Sequence, residues 1–213
     1  MALINTKKNE IQLKIVYYGP GRGGKTSSLE YIQQKLASRN KAKIIKLKGN
    51  QERTLFFDFY PLNLGRVKGF NIRIQLYSVP GQDRLEPLRK LILRGVDGIV
   101  FVADSMILRR RHNIQSFENL IQTLGLYNKK ISTIPLAIQF NKVDLALEGI
   151  PILSPLTLKA DLRKCLYGNG HFIEKTPCNE SSTVSGKNVL KSLQDIIGLT
   201  IRHLNFDAIA RKP

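Results

Sequence analysis

The segment Gly19-Pro20-Gly21-Arg22-Gly23-Gly24-Lys25-Thr26 is a full match to the pattern G-x-x-x-x-G-K-[S/T]. It stands between an apolar run, Ile11 to Tyr18, and an amphipathic stretch that opens at Lys25. That order dictates a strand, a glycine-rich loop and a helix. The glycines allow successive backbone N–H groups to turn inward, and the helix N-terminus completes an anion nest. Gly19, Gly21, Arg22, Gly23, Gly24, Lys25, Thr26 and Ser27 are the candidate phosphate-binding residues. Lys25 is expected to reach the β- and γ-phosphates, and the Thr26 hydroxyl to bind Mg²⁺. A glycine-rich turn that merely caps a helix is the plainer alternative. Arg22 is not required by the pattern; it either offsets phosphate charge or points to solvent.

Further apolar runs, Thr54 to Leu62, Asn71 to Tyr77, Gly98 to Ala103, Ile134 to Phe140 and a weaker one near Phe172 to Pro177, read as strands. Helices are expected to begin near Lys25, Leu85, Ile107, Thr157 and Gly186. Gly98 to Ala103 and Ile134 to Phe140 are continuously apolar, as strands are when helices cover both faces of a parallel sheet. Thr54 to Tyr77 instead reads as an antiparallel hairpin joined across Leu64 to Gly69. The expected fold is α/β: a six-stranded, mostly parallel sheet with one antiparallel strand and helices on both faces. A chain of 213 residues suits one such domain, spanning residues 1–213.

A phosphate cradle does not choose a base. Asn141-Lys142-Val143-Asp144, at the end of the run Ile134 to Phe140, does. Guanine offers two adjacent donors, N1–H and the exocyclic amine, which one carboxylate accepts together; adenine lacks the pair. Asp144 is therefore the discriminating group. Asn141 is expected to tie this loop to the phosphate loop, and the Lys142 stem to cover the base. Ser78-Val79-Pro80-Gly81-Gln82 ends the third strand. There the Gly81 N–H can meet a γ-phosphate and Gln82 can orient an attacking water. Glu52-Arg53-Thr54 opens the second strand, where Thr54 can close over Mg²⁺ and the γ-phosphate.

The net charge is +18, which favours acidic partners. The basic residues are dispersed, however, with no run long enough for an interaction tail. Nucleic acid is disfavoured as a partner, and weak contact with an anionic membrane surface stays open. Arg109-Arg110-Arg111 reads as the solvated start of a helix that could touch acidic lipid. Cys165 and Cys178 have no metal-ligand spacing around them and suit a reducing cytosol. His112, His171 and His203 are scattered and read as surface or packing residues. No run of eighteen apolar residues occurs. Neither a signal peptide nor a myristoylation or prenylation signal is expected.

These motifs, in this order, resemble those of Ras-superfamily GTPases and, more narrowly, MglA-like bacterial small GTPases. The resemblance rests on Lys14 to Gly21, Arg53 to Phe59, Val79 to Gln82 and Arg89 to Ser105. It is dense from Lys14 to Asp144 and thins beyond. It implies a Ras-like P-loop G domain binding GTP or GDP with Mg²⁺ held by Thr26 and Thr54. It also implies Arg53 as an intrinsic arginine finger, where the residue alone reads as a surface cation. Gln82 becomes the catalytic glutamine, and Lys25 a stabiliser of the transferring phosphoryl group. Ser182 and Thr183, within Glu180-Ser181-Ser182-Thr183-Val184, would buttress the base. The implied partners are a Roadblock/LC7-type, MglB-like activator and polarity or cytoskeletal effectors. The implied setting is cytoplasmic, polar or membrane-associated through partners, in bacterial cell polarity or gliding motility. Ser78 stands where most small GTPases hold an acidic residue, and the fifth motif lacks its usual lysine. A GTP-gated scaffold with negligible hydrolysis is the competing reading; a P-loop ATPase or nucleotide kinase is opposed by Asp144.

Overall fold

The computed structural model describes residues 2–37, 45–46, 58–79, 86–167, 170–206 and 209. Its strands are β1 (Leu3–Asn5), β2 (Glu10–Tyr18), β3 (Ile45–Lys46), β4 (Asp58–Val67), β5 (Phe70–Ser78), β6 (Gly98–Asp104), β7 (Leu136–Asn141) and β8 (Cys178–Ser181). Its helices are α1 (Lys25–Leu36), α2 (Glu86–Leu93), α3 (Arg110–Gly125), α4 (Pro155–Lys164), α5 (Phe172–Lys175) and α6 (Val189–Arg202). The sheet order is β3-β4-β5-β2-β6-β7-β8, with β1 paired to β2. Strands β5, β2, β6, β7 and β8 run parallel, and β4 lies antiparallel to β5. Two short strands add to the expected six. β1 pairs antiparallel with Glu10 to Gln12, the half of β2 that β6 does not reach, since β6 pairs only with Ile15 to Tyr18.

Alternation along β2 divides the core. Ile11, Leu13, Ile15 and Tyr17 pack with Leu29 and Ile32 of α1 and Leu193 and Ile196 of α6. Val16 and Tyr18 pack on the other face with Leu93, Phe117, Leu120 and Leu158 from α2, α3 and α4. All seven residues of β6 are buried, so its unbroken apolar sequence follows from cover on both faces.

The hairpin runs longer than its sequence suggests. β4 continues to Val67, and the chain reverses at Lys68 (φ 48°) and Gly69 (φ 85°), the left-handed pair that a two-residue turn demands. What reads as a loop around Leu64 and Gly65 is a register shift between Asn63 and Gly65. Gly65, at φ 81°, donates its N–H to Asn63 Oδ1 at 2.9 Å. The final strand also differs from expectation. Phe172 to Lys175 form the single turn α5, and pairing with β7 starts only after Pro177, at Cys178. Proline has no N–H for the ladder, so the apolar run before it serves the core as helix rather than strand.

Candidate functional site

The parallel strands β2, β6, β7 and β8 end at one edge of the sheet, so the segments following them converge there. The loop after β2 carries the phosphate-binding candidates. Gly19 (φ 150°) turns the chain against β6, where a Cβ would stand 2.2 Å from the Val102 carbonyl oxygen. Gly24 (φ 100°) admits the second loop: a Cβ there would lie 2.1 Å from Asn141 Nδ2. Gly24 is also the N-cap of α1 and brings no side-chain cap, so the first-turn N–H groups of the helix face the loop. The Lys25 side chain is buried and curls back, donating to the carbonyls of Gly19 (2.9 Å) and Pro20 (2.7 Å). Thr26 and Ser27 follow in the same turn of α1. Arg22 is exposed at the crown, with φ 64°.

Asn141 binds the two loops together. Its Nδ2 donates to the Gly23 carbonyl at 2.9 Å, and its Oδ1 accepts the Thr183 N–H at 3.2 Å. One buried side chain therefore joins the ends of β2, β7 and β8, as its place in the sequence led one to expect. Ser182 acts on its own turn, its Oγ accepting the N–H groups of Val184 and Ser185 at 3.2 Å each. Asp144 follows in a short 3-10 helix, and its Oδ1 is buried with no hydrogen-bond partner among the described residues. A buried carboxylate oxygen without a donor is costly, and a ligand bearing adjacent N–H groups offsets that cost. The donor set of this edge thus fits a guanine nucleotide: N–H groups and an ammonium for phosphates, a carboxylate for the base.

Other members of the site were missed in the sequence. Asp104, fully buried at the end of β6, accepts the Lys142 ammonium at 2.7 Å and stands 3.8 Å from Arg109 Nε. Its backbone is gripped by Asn113 of α3, whose Oδ1 accepts the Asp104 N–H (2.9 Å) and whose Nδ2 donates to its carbonyl (2.8 Å). Ser105 reaches the base loop, donating its hydroxyl to the Lys142 carbonyl at 3.0 Å. The available signal was a carboxylate closing an otherwise apolar strand at the sheet edge that binds ligands. The run Arg109 to Arg111 is not simply solvated. Arg109 donates to the Gly21 carbonyl at 2.7 Å, and Arg110, though exposed, makes a two-pronged pair with Asp161 of α4, both bonds 2.7 Å; Arg111 is exposed as well.

Arg53, Thr54, Gly81 and Gln82 lie outside the described residues. Ser78, buried at the end of β5, is aligned with Tyr17 of β2. Among the described residues no group of three or more His, Cys, Asp or Glu side chains could hold a metal ion. A cation here would depend on hydroxyls such as Thr26 and on phosphate oxygens.

The ADP-ribosylation factor family model matches residues 2–197. The chain belongs to this family of small GTPases. Over 145 residues it is 52% identical to the mutual gliding-motility protein MglA of Myxococcus xanthus (strain DK1622), covering 68% of this chain and 74% of that protein. The MglA-like resemblance read from the motifs is thereby upheld, and with it the Ras-like GTP-binding fold. In this GTPase no helix among the described residues is long and apolar enough to cross a membrane.

Proposed function

We propose that this GTPase is a Mg²⁺-dependent switch that hydrolyses GTP to GDP and phosphate, slowly alone and faster with a Roadblock-fold, MglB-like activator. The observation that carries the reading is the buried Asp144 Oδ1, without a hydrogen-bond partner among the described residues, three residues after an asparagine bonded to the phosphate loop. This pairing suits guanine and leaves adenine without a match. Residues 1–213 act as one G domain. Lys25, Ser27 and the N–H groups of the loop hold the phosphates, and Ser182 and Thr183 support the base loop. Thr26 and Thr54 would hold Mg²⁺, which when bound screens the charge of the β- and γ-phosphates. Gln82 orients the attacking water, Arg53 stabilises negative charge on the transferring group, and loss of the γ-phosphate releases Thr54 and Gly81. The relative from Myxococcus xanthus is named for gliding motility. We place this chain in the same kind of process, in the cytoplasm, with polarity or cytoskeletal effectors that bind one nucleotide state.

Single-turnover hydrolysis of GTP with Mg²⁺ tests the reading, using wild type, Arg53→Ala and Gln82→Ala, each with and without a Roadblock-type partner. The partner should speed the wild type and leave both variants at least about a hundredfold slower. A wild type that binds GTP yet never turns it over, partner present, would make the protein a GTP-gated scaffold.

A further inference from the structure

We infer that Arg109 is a positioning residue for the phosphate loop, acting through the peptide between Gly21 and Arg22; the inference rests on the GTP-binding reading of the same loop. Arg109 lies 88 residues beyond Gly21 in the chain, in the short 3-10 turn that leads into α3, and its guanidinium donates to the Gly21 carbonyl at 2.7 Å. A trans peptide is planar, with its C=O and N–H on opposite sides. Fixing the Gly21 carbonyl toward Arg109 therefore turns the Arg22 N–H the other way.

Two further features indicate that this grip is needed. Arg22 has φ 64°, a left-handed conformation that a non-glycine residue avoids unless its surroundings hold it. The guanidinium is itself held in place. Asp104, wholly buried, lies 3.8 Å from its Nε, and Asn113 clamps the Asp104 backbone on both sides. The same carboxylate accepts Lys142 at 2.7 Å. One buried anion thus holds a cation from the base loop and another that grips the phosphate loop, a link independent of the Asn141 to Gly23 bond. Arg109 touches no reacting atom in this account; it fixes the direction of a loop N–H.

The test measures release of fluorescent GDP and of a fluorescent, non-hydrolysable GTP analogue from the full chain. The proteins are wild type, Arg109→Ala, Arg109→Lys, Arg110→Ala, Arg22→Gly and the double variant Arg22→Gly/Arg109→Ala. Arg109→Ala should speed release of both nucleotides by about tenfold, the scale expected when one charge-assisted hydrogen bond is lost. Arg109→Lys, which keeps the charge and a donor, should recover part of that loss. Arg110→Ala breaks the pair with Asp161, away from the loop, and should leave release within about twofold of wild type. Glycine at position 22 adopts the left-handed conformation without cost. In that background the same arginine deletion should have at least about a threefold smaller effect, a non-additivity that general loosening of α3 would not produce. Release from Arg109→Ala within about twofold of wild type, or an equal effect in both backgrounds, would overturn the inference. A wild type that takes up no guanine nucleotide at all would instead overturn the GTP-binding reading, and this inference with it.

Discussion

At the scale of single residues, the site depends on side chains whose partners lie far away in sequence. Asp144 stands apart from them, because its buried Oδ1 has no partner among the described residues while Asn141 and Lys142 beside it are bonded. Asp144→Asn replaces a two-acceptor carboxylate with a group that offers guanine one acceptor and one mismatched donor. GTP affinity, measured by calorimetry, should fall by about 2–4 kcal/mol, with the thermal midpoint of the nucleotide-free protein nearly unchanged. The two thiols form a second residue-scale case. Burial is the main cause that pushes both Cys165 and Cys178 up to about 11, from an ordinary 9.0. A raised thiol pKa favours folding while the unfolded thiol is still protonated. Its contribution is fully present below about pH 9 and is lost as pH rises toward 11. Urea unfolding at pH 8, 9.5 and 10.5 should show this decline, and it should be smaller in the Cys165→Ala/Cys178→Ala variant.

Among elements, α3 does most to connect the core with the site. Its Phe117 is fully buried and meets Phe101 of β6 edge-on, with ring centroids 5.1 Å apart. Three residues of the chain on from Arg110, Asn113 grips Asp104 at the end of the same strand. Phe117→Ala should cost about 3–5 kcal/mol in denaturant unfolding, through lost burial and the cavity left behind. Because β6 ends in Asp104 and α3 follows directly on the turn that holds Arg109, nucleotide release should quicken in this variant as well. A stability loss under about 1 kcal/mol would mean that the core collapses around the gap. The Arg110 pair with Asp161 fixes α4 against α3 and explains why a basic residue is useful at that helix start.

For the whole molecule, the charge of +18 is a property of solubility and association rather than of fold. Its carriers are spread over the chain, and several described ones are already engaged: Lys142 and Arg109 at Asp104, Arg163 at Glu174, Lys14 over the Tyr77 ring. A dispersed field of this kind attracts anionic surfaces weakly and is screened by salt. Co-sedimentation with phosphatidylserine-containing vesicles should therefore be measurable at low ionic strength and disappear at about 0.15 M. Binding that persists in salt would reveal a defined basic site.

The glycine-rich loop after β2, the Asn141-to-Asp144 loop and the parallel strands leading to them could be read in the chain because each depends on local chemistry. A glycine run between strand and helix, a carboxylate three residues after an asparagine, and unbroken apolar stretches carry their meaning within a few residues. The hairpin was legible as a hairpin, but its ends were not, because a register shift at Gly65 looks like a turn until β5 is beside it. Phe172 to Pro177 read as a strand on apolar content alone; only the ladder with β7 decided that pairing begins at Cys178. The tertiary structure likewise settled what Asp104, Arg109 and Arg110 do. Their partners lie 38, 88 and 51 residues away, at Lys142, Gly21 and Asp161. Local pattern reports which face a residue turns to the core and which backbone shapes it tolerates. Which cation meets which buried anion is determined by the order of strands in the sheet, and that order exists only once the chain has folded.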